Sequence, residues 1–101
     1  MPILHSVFFY FGDDTPASVQ DEMQSCILKQ FPEIPGISNL MAGSPEGIER
    51  DVVDNDYNMS LHLVVDDRET LQRYQNHPVH QEFIQKFKPY WKSIKVFDTA
   101  V

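Results

Sequence analysis

Pro78 is the residue that most constrains what this chain can fold into. It stands within Tyr74-Gln75-Asn76-His77-Pro78-Val79-His80, between two segments patterned as helices. Proline supplies no N–H, and it pushes the residue before it, His77, out of the α region. The same ring suits the first position of a new helix. A helix therefore ends near Asn76, the chain turns at His77, and a second helix starts at Pro78. The corner puts Tyr74 on the last turn of one helix and His80 on the first turn of the next. Both side chains then reach toward one space over a sheet, which is either a reaction pocket or packed core.

The rest of the chain supplies that sheet. Residues 3–11 are β-branched and aromatic with the length of a strand. Alternation sends Ile3, His5, Val7, Phe9 and Phe11 to one face and Leu4, Ser6, Phe8 and Tyr10 to the other. Aromatics on both faces predict a strand covered on both sides. Thr15-Pro16 reads as a helix start, a hydroxyl cap followed by proline at the first position. Val19, Met23, Cys26, Ile27 and Phe31 follow at helical spacing until Pro32 and Pro35-Gly36. Residues 37–44 predict a second strand. Ser44 to Asp56 is polar and acidic, a long surface loop or mobile arm. Residues 57–65 alternate, with Tyr57, Met59, Leu61, Leu63 and Val65 on one face and Asn58, Ser60, His62 and Val64 on the other.

Asp66-Asp67 supplies a cap and favourable negative charge for the next helix, with Leu71 and Tyr74 on its apolar side. After the corner, Val79, His80, Phe83, Ile84 and Phe87 form a stripe that Pro89 ends. Residues 92–99 make the last strand. The order β-α-β-β-α-α-β implies one α+β domain over residues 1–101, with a ferredoxin-like four-stranded antiparallel sheet and its helices on one face. The helices are expected to cover His5, Val7, Phe9, Met59, Leu61 and Leu63 with Ile94 and Val96. Leu4, Phe8, Tyr10, Leu40, Val64 and Phe97 then lie on a face with no helix left to cover them. An open apolar patch of this kind marks an association surface, and a homodimer packed sheet to sheet is expected.

A net charge of −7 and no Lys/Arg cluster argue against nucleic-acid and anionic-membrane partners. No run is long enough to span a bilayer, and Met1-Pro2-Ile3-Leu4-His5 shows no basic region or cleavage site, so a cytoplasmic location is expected. The single cysteine, Cys26, excludes an internal disulfide and reads as a small buried hydrophobe rather than a nucleophile. Asn58-Met59-Ser60 fits a glycosylation sequon and, without a secretion signal, is taken as chance.

Tyr74-x-x-His77-Pro78-x-His80, with Lys95-Val96-Phe97-Asp98 in the last strand and His5 in the first, resembles the stress-responsive A/B barrel (Dabb) domain family over nearly the whole chain. The resemblance implies a dimeric α+β barrel of two ferredoxin-like units, with a small apolar cavity between sheet and helices in each. Most members have no established chemistry. A plant branch includes a polyketide cyclase that closes a linear β-polyketide by an intramolecular aldol step. Its catalytic phenol and second histidine correspond to Tyr74 and His80 here. Its further pocket histidine, on the third strand, corresponds to Met59.

Each candidate group has two readings. His80 is a general base, or an imidazole that braces the corner. Tyr74 steadies an enolate oxygen, or is a buried tyrosine with an ordinary hydroxyl partner. His5, among apolar neighbours, lines the cavity or satisfies the interior. His77 holds the corner, and His62 packs on the association face. The expected cavity is lined by His5, Phe9, Met59, Leu61, Trp91, Ile94 and Val96, and holds a small apolar or carbonyl-bearing molecule. No cofactor is expected. No metal is expected either, because no carboxylate stands at ligand spacing from His77 and His80 and no second cysteine exists. The function expected is that of a Dabb protein of unknown specific activity. The alternatives are cofactor-free cyclisation or, by fold analogy alone, a cofactor-free monooxygenase.

Overall fold

The computed structural model describes residues 1–101. The elements run β1 (Ile3–Phe11), α1 (Ser18–Gln30), β2 (Ile37–Gly43), β3 (Met59–Val65), α2 (Arg68–Asn76), α3 (Pro78–Phe87) and β4 (Trp91–Ala100). The sheet order is β2-β3-β1-β4, antiparallel throughout. This is the ferredoxin-like α+β plan that the element order predicts.

Alternation along β1 and β3 builds the core. Val7, Phe9, Met59, Leu61, Leu63 and Val65 meet Val19, Met23 and Ile27 of α1 and Phe83 and Phe87 of α3 in one cluster. Burying each such side chain contributes about 1.5–3 kcal/mol. Cys26 is half-buried at the edge of this cluster rather than inside it.

Four details differ from the sequence reading. Helix α1 begins at Ser18, three residues beyond the expected cap. The Thr15 hydroxyl instead donates to the Tyr90 carbonyl at 3.0 Å and ties the β1–α1 loop to the start of β4. Strand β3 starts at Met59 rather than Tyr57, because the Asn58 side-chain carbonyl accepts from Phe11 N–H at 2.7 Å. Strand β2 carries an irregularity between Ser38 and Met41, with Asn39 at φ 54°. The shift turns Leu40 toward the core, and Met41, paired with His62, takes the far face.

The fourth difference is the largest. Ile94 and Val96 lie on the helix side of the sheet, opposite Phe9 and Val7, but each remains 46% exposed. They are not lining residues of an internal cavity. Strand β4 is an edge strand paired only with β1, and beyond Trp91 every one of its residues is exposed. The helices do not extend over it.

Candidate functional site

The corner is built from local hydrogen bonds. Asp67 caps α2, accepting from Thr70 N–H at 2.8 Å and from the Thr70 hydroxyl at 2.7 Å. Those bonds hold its carboxyl below the usual carboxylate range. His77 is extended, with ψ 141°, as proline demands of its neighbour. Its N–H donates to the Tyr74 carbonyl at 3.2 Å, closing α2. Its Nδ1 accepts from Val79 N–H at 3.1 Å, opening α3. Gln81 reaches back across the corner to the Gln75 carbonyl at 2.7 Å.

The corner delivers Tyr74 and His80 to one place. Their ring centroids are 4.7 Å apart. Tyr74 is fully buried, and Phe31 packs edge-on against it at 5.8 Å and tilted against His80 at 6.1 Å. His5, on β1, is buried and meets Tyr74 edge-on at 5.7 Å. Its Nδ1 is 2.5 Å from Asp98 Oδ1, opposite it on β4. A carboxylate there fixes the tautomer and orients the ring.

Two atoms of this cluster lack partners. Tyr74 Oη and His80 Nδ1 are both buried without a hydrogen bond, although buried polar groups are nearly always satisfied. Burial pushes the Tyr74 phenol well above its ordinary value, so it stays protonated at neutral pH. Burial pushes the His80 imidazole down; the Gln75 carbonyl raises it in part, and nearby His5 lowers it further. At neutral pH the pair is one O–H donor beside one neutral imidazole. Such a pair can hold an oxygen atom between them, or move a proton to and from it.

Of the expected lining set, His5 is the residue whose ring meets Tyr74, and Phe9, Met59 and Leu61 share the packed core cluster with Tyr74 itself. Trp91 stands away from the pair, 4.7 Å from Phe9, with its N–H toward Met23 Sδ at 3.4 Å. The space beside Tyr74 is filled by rings instead of open. The five main clefts, of about 320–430 Å³, are bordered by neither Tyr74 nor His80. The largest, about 430 Å³ among Met1, Ile3, Asp67, Arg68, Asp98 and Ala100, ends on the partner of His5. His62 lies on the far face, its two nitrogens each 3.0 Å from a serine hydroxyl, of Ser6 and Ser60. Burial lowers its pKa. Asp98 and Phe31 belong to the cluster although neither was expected there. The antiparallel register of the first and last strands was the signal for Asp98.

Fold and cluster define a class: a ferredoxin-like α+β domain with a phenol–imidazole pair under a helix–proline–helix corner. Residues 3–101 match the family model described as Stress Responsive A/B Barrel Domain, and the chain belongs to that family. Solved structures agree in fold. A dimeric ferredoxin-like protein of unknown function from Thermobifida fusca is 20% identical, with a TM-score of 0.85 over 100% of this chain and 92% of that one. A Dabb family protein from Mesorhizobium loti is 19% identical, with a TM-score of 0.76 over 99% and 96%. A hydroxynitrile lyase from Passiflora edulis is 14% identical, with a TM-score of 0.83 over 99% and 93%. At these identities the likeness concerns the fold. No curated protein matches the chain.

Proposed function

We propose that the Tyr74–His80 pair binds the oxygen of a small, otherwise apolar, carbonyl-bearing molecule. One observation carries this reading: two buried polar atoms, Tyr74 Oη and His80 Nδ1, on rings whose centroids are 4.7 Å apart, have no partner. Leaving such groups unsatisfied costs about 1–3 kcal/mol each, a cost that a ligand oxygen between them removes. Tyr74 is fully buried behind Phe31 and His5 while His80 is only partly buried, so binding at the phenol requires the corner to move. Helix α2 buries only Tyr74 completely, against three residues for α1 and two for α3, and is the least anchored of the three.

The opposed pKa shifts favour a second, catalytic reading. In the tautomer that leaves Nδ1 unprotonated, so that Tyr74 alone holds the carbonyl oxygen, a neutral His80 removes a proton α to the bound carbonyl, and the protonated Tyr74 donates to the enolate oxygen. Intramolecular attack of that enolate on a second carbonyl forms a carbon–carbon bond and breaks the C=O π bond, and the alkoxide takes the proton back from the His80 imidazolium, so no cofactor is needed. A lyase among the structural neighbours supports an enzyme on this fold.

We infer further that two copies associate through the far face, where Phe97 and Met41 are 56% and 58% exposed and Leu4, Phe8, Tyr10 and Val64 are half-buried. Neighbours described as dimeric support this.

Binding is tested by thermal shift and by NMR titration against aromatic and β-polyketide carbonyl compounds. Wild type is expected to bind, and Tyr74→Phe and His80→Ala to lose the response while remaining folded. Equal responses in all three proteins would remove the site from this corner. Solvent-deuterium exchange at the carbon α to the carbonyl, dependent on His80, separates catalysis from binding.

A further inference from the structure

The arm between β2 and β3 and the bare side of β4 fit one another across two copies of the chain. The arm, residues 44–56, holds five carboxylates, Glu46, Glu49, Asp51, Asp54 and Asp56, against one arginine, Arg50. It is locally built rather than loose. Val53 N–H donates to the Arg50 carbonyl at 2.9 Å, and the Asn55 amide to the Ile48 carbonyl at 2.9 Å. Within this acidic turn two large apolar side chains face water, Ile48 at 54% and Val52 at 80% exposure.

The complementary surface lies on the helix side of β4. Ile84 of α3, Trp91 and Ile94 border a groove of about 320 Å³ with Lys88 and Lys92 on its rim, and exposed Val96 continues it. The sequence reading missed the charge here: four of the five lysines fall within ten residues, and two of them, Lys88 and Lys92, border this groove, while Lys86 lies toward α1 and Lys95 on the far face. An acidic surface carrying apolar side chains is the chemistry that such a groove recognises.

Topology places the two together. In the order β2-β3-β1-β4 the strands β2 and β4 are opposite edges of the sheet. The register puts Gly43, Met59, Phe11 and Trp91 at the same end of it. When two sheets pack far face to far face about a two-fold axis along the strands, each β2 edge lies over the partner's β4 edge. The arm then leaves at the end where β4 begins.

We propose that the 44–56 arm of one copy docks in the partner's Ile84–Trp91–Ile94 groove, its carboxylates meeting Lys88 and Lys92. This rests on the homodimer reading and adds to it a second contact that covers an otherwise open strand edge.

Paired cysteines test the proposal. In a Cys26→Ser background, Ile48→Cys and Ile94→Cys are placed in one chain and oxidised mildly. Sedimentation of the unoxidised protein is measured alongside. A dimer in sedimentation and a disulfide-linked band of doubled mass are expected, with no link from a control pair, Leu28→Cys with Ile94→Cys. A dimer without the link, or a link within one chain, overturns the arm contact and leaves the dimer standing. A monomer overturns both. Hydrogen exchange supplies a second reading. Arm amides are expected to be slower in the wild-type dimer than in a Phe8→Glu monomer, and equal rates would overturn the docking.

Discussion

At the residue scale the corner divides its work between two histidines. His77 accepts a backbone N–H at the first turn of α3, which is a capping role. Loss of such a cap costs about 0.5–2 kcal/mol. His80 buries a nitrogen without a partner, and its removal relieves that cost while losing packing on Phe31 and Tyr74. His77→Ala is therefore expected to lower stability in urea melts more than His80→Ala. Tyr74→Phe removes a stranded hydroxyl and keeps the ring, so it is expected to be neutral or stabilising by up to about 1 kcal/mol. A loss would mean that the hydroxyl has a partner in solution. The pH dependence has a definite sign. The folded-state pKa of His80 lies below its ordinary value of 6.5, so the unfolded chain takes up the proton first. The stability contributed is complete above about pH 6.5 and is lost as the pH falls from there through the depressed folded value. His80→Ala is expected to flatten part of that fall in melts run at stepped pH, and His62, also depressed, contributes in the same direction.

At the element scale the turn into β2 packs closely against the start of α2. Gly36 has φ +87°, and a Cβ there would lie 2.6 Å from Thr70 Cγ2, on the first turn of α2 beside its Asp67 cap. Gly36→Ala combines left-handed strain with that clash, and is expected to cost more than about 1 kcal/mol in urea melts. What the sequence revealed at this scale follows from how local each signal is. The corner was legible because proline acts on its immediate neighbours, and β1 and β3 because alternation with aromatics is a strong pattern. Thr15-Pro16 imitated a cap, but the hydroxyl went to Tyr90, far along the chain. Ile94 and Val96 alternate as covered residues do, yet a strand's own alternation does not say whose side chains cover it. Asp98 became a partner of His5 only through register.

At the scale of the whole molecule the unresolved balance lies on the far face. Phe8 stands at its centre, edge-on to Tyr57 at 5.0 Å, His62 at 5.7 Å and Phe97 at 5.9 Å. These rings already pack within one copy, yet Phe97 stays more than half exposed. A surface ordered in this way loses little conformational entropy on association, which favours a stable contact. An interface of standard size, about 1,200–2,000 Å² in total, is expected. Phe8→Glu separates folding from assembly. Position 8 is half-buried in one copy, so a carboxylate there can keep contact with water and the chain can fold. Between two copies the same carboxylate would lose most of its hydration among Phe97, Tyr10, Leu4 and Val64, and only Lys95, paired beside position 8 and held over the Tyr10 ring, could offset it. Wild type is therefore expected to sediment as a dimer at micromolar concentration. Phe8→Glu should sediment as a monomer with an unchanged far-ultraviolet circular dichroism spectrum. A wild-type monomer, or a dimer that tolerates Phe8→Glu, would show that the aromatic face is not where two copies meet.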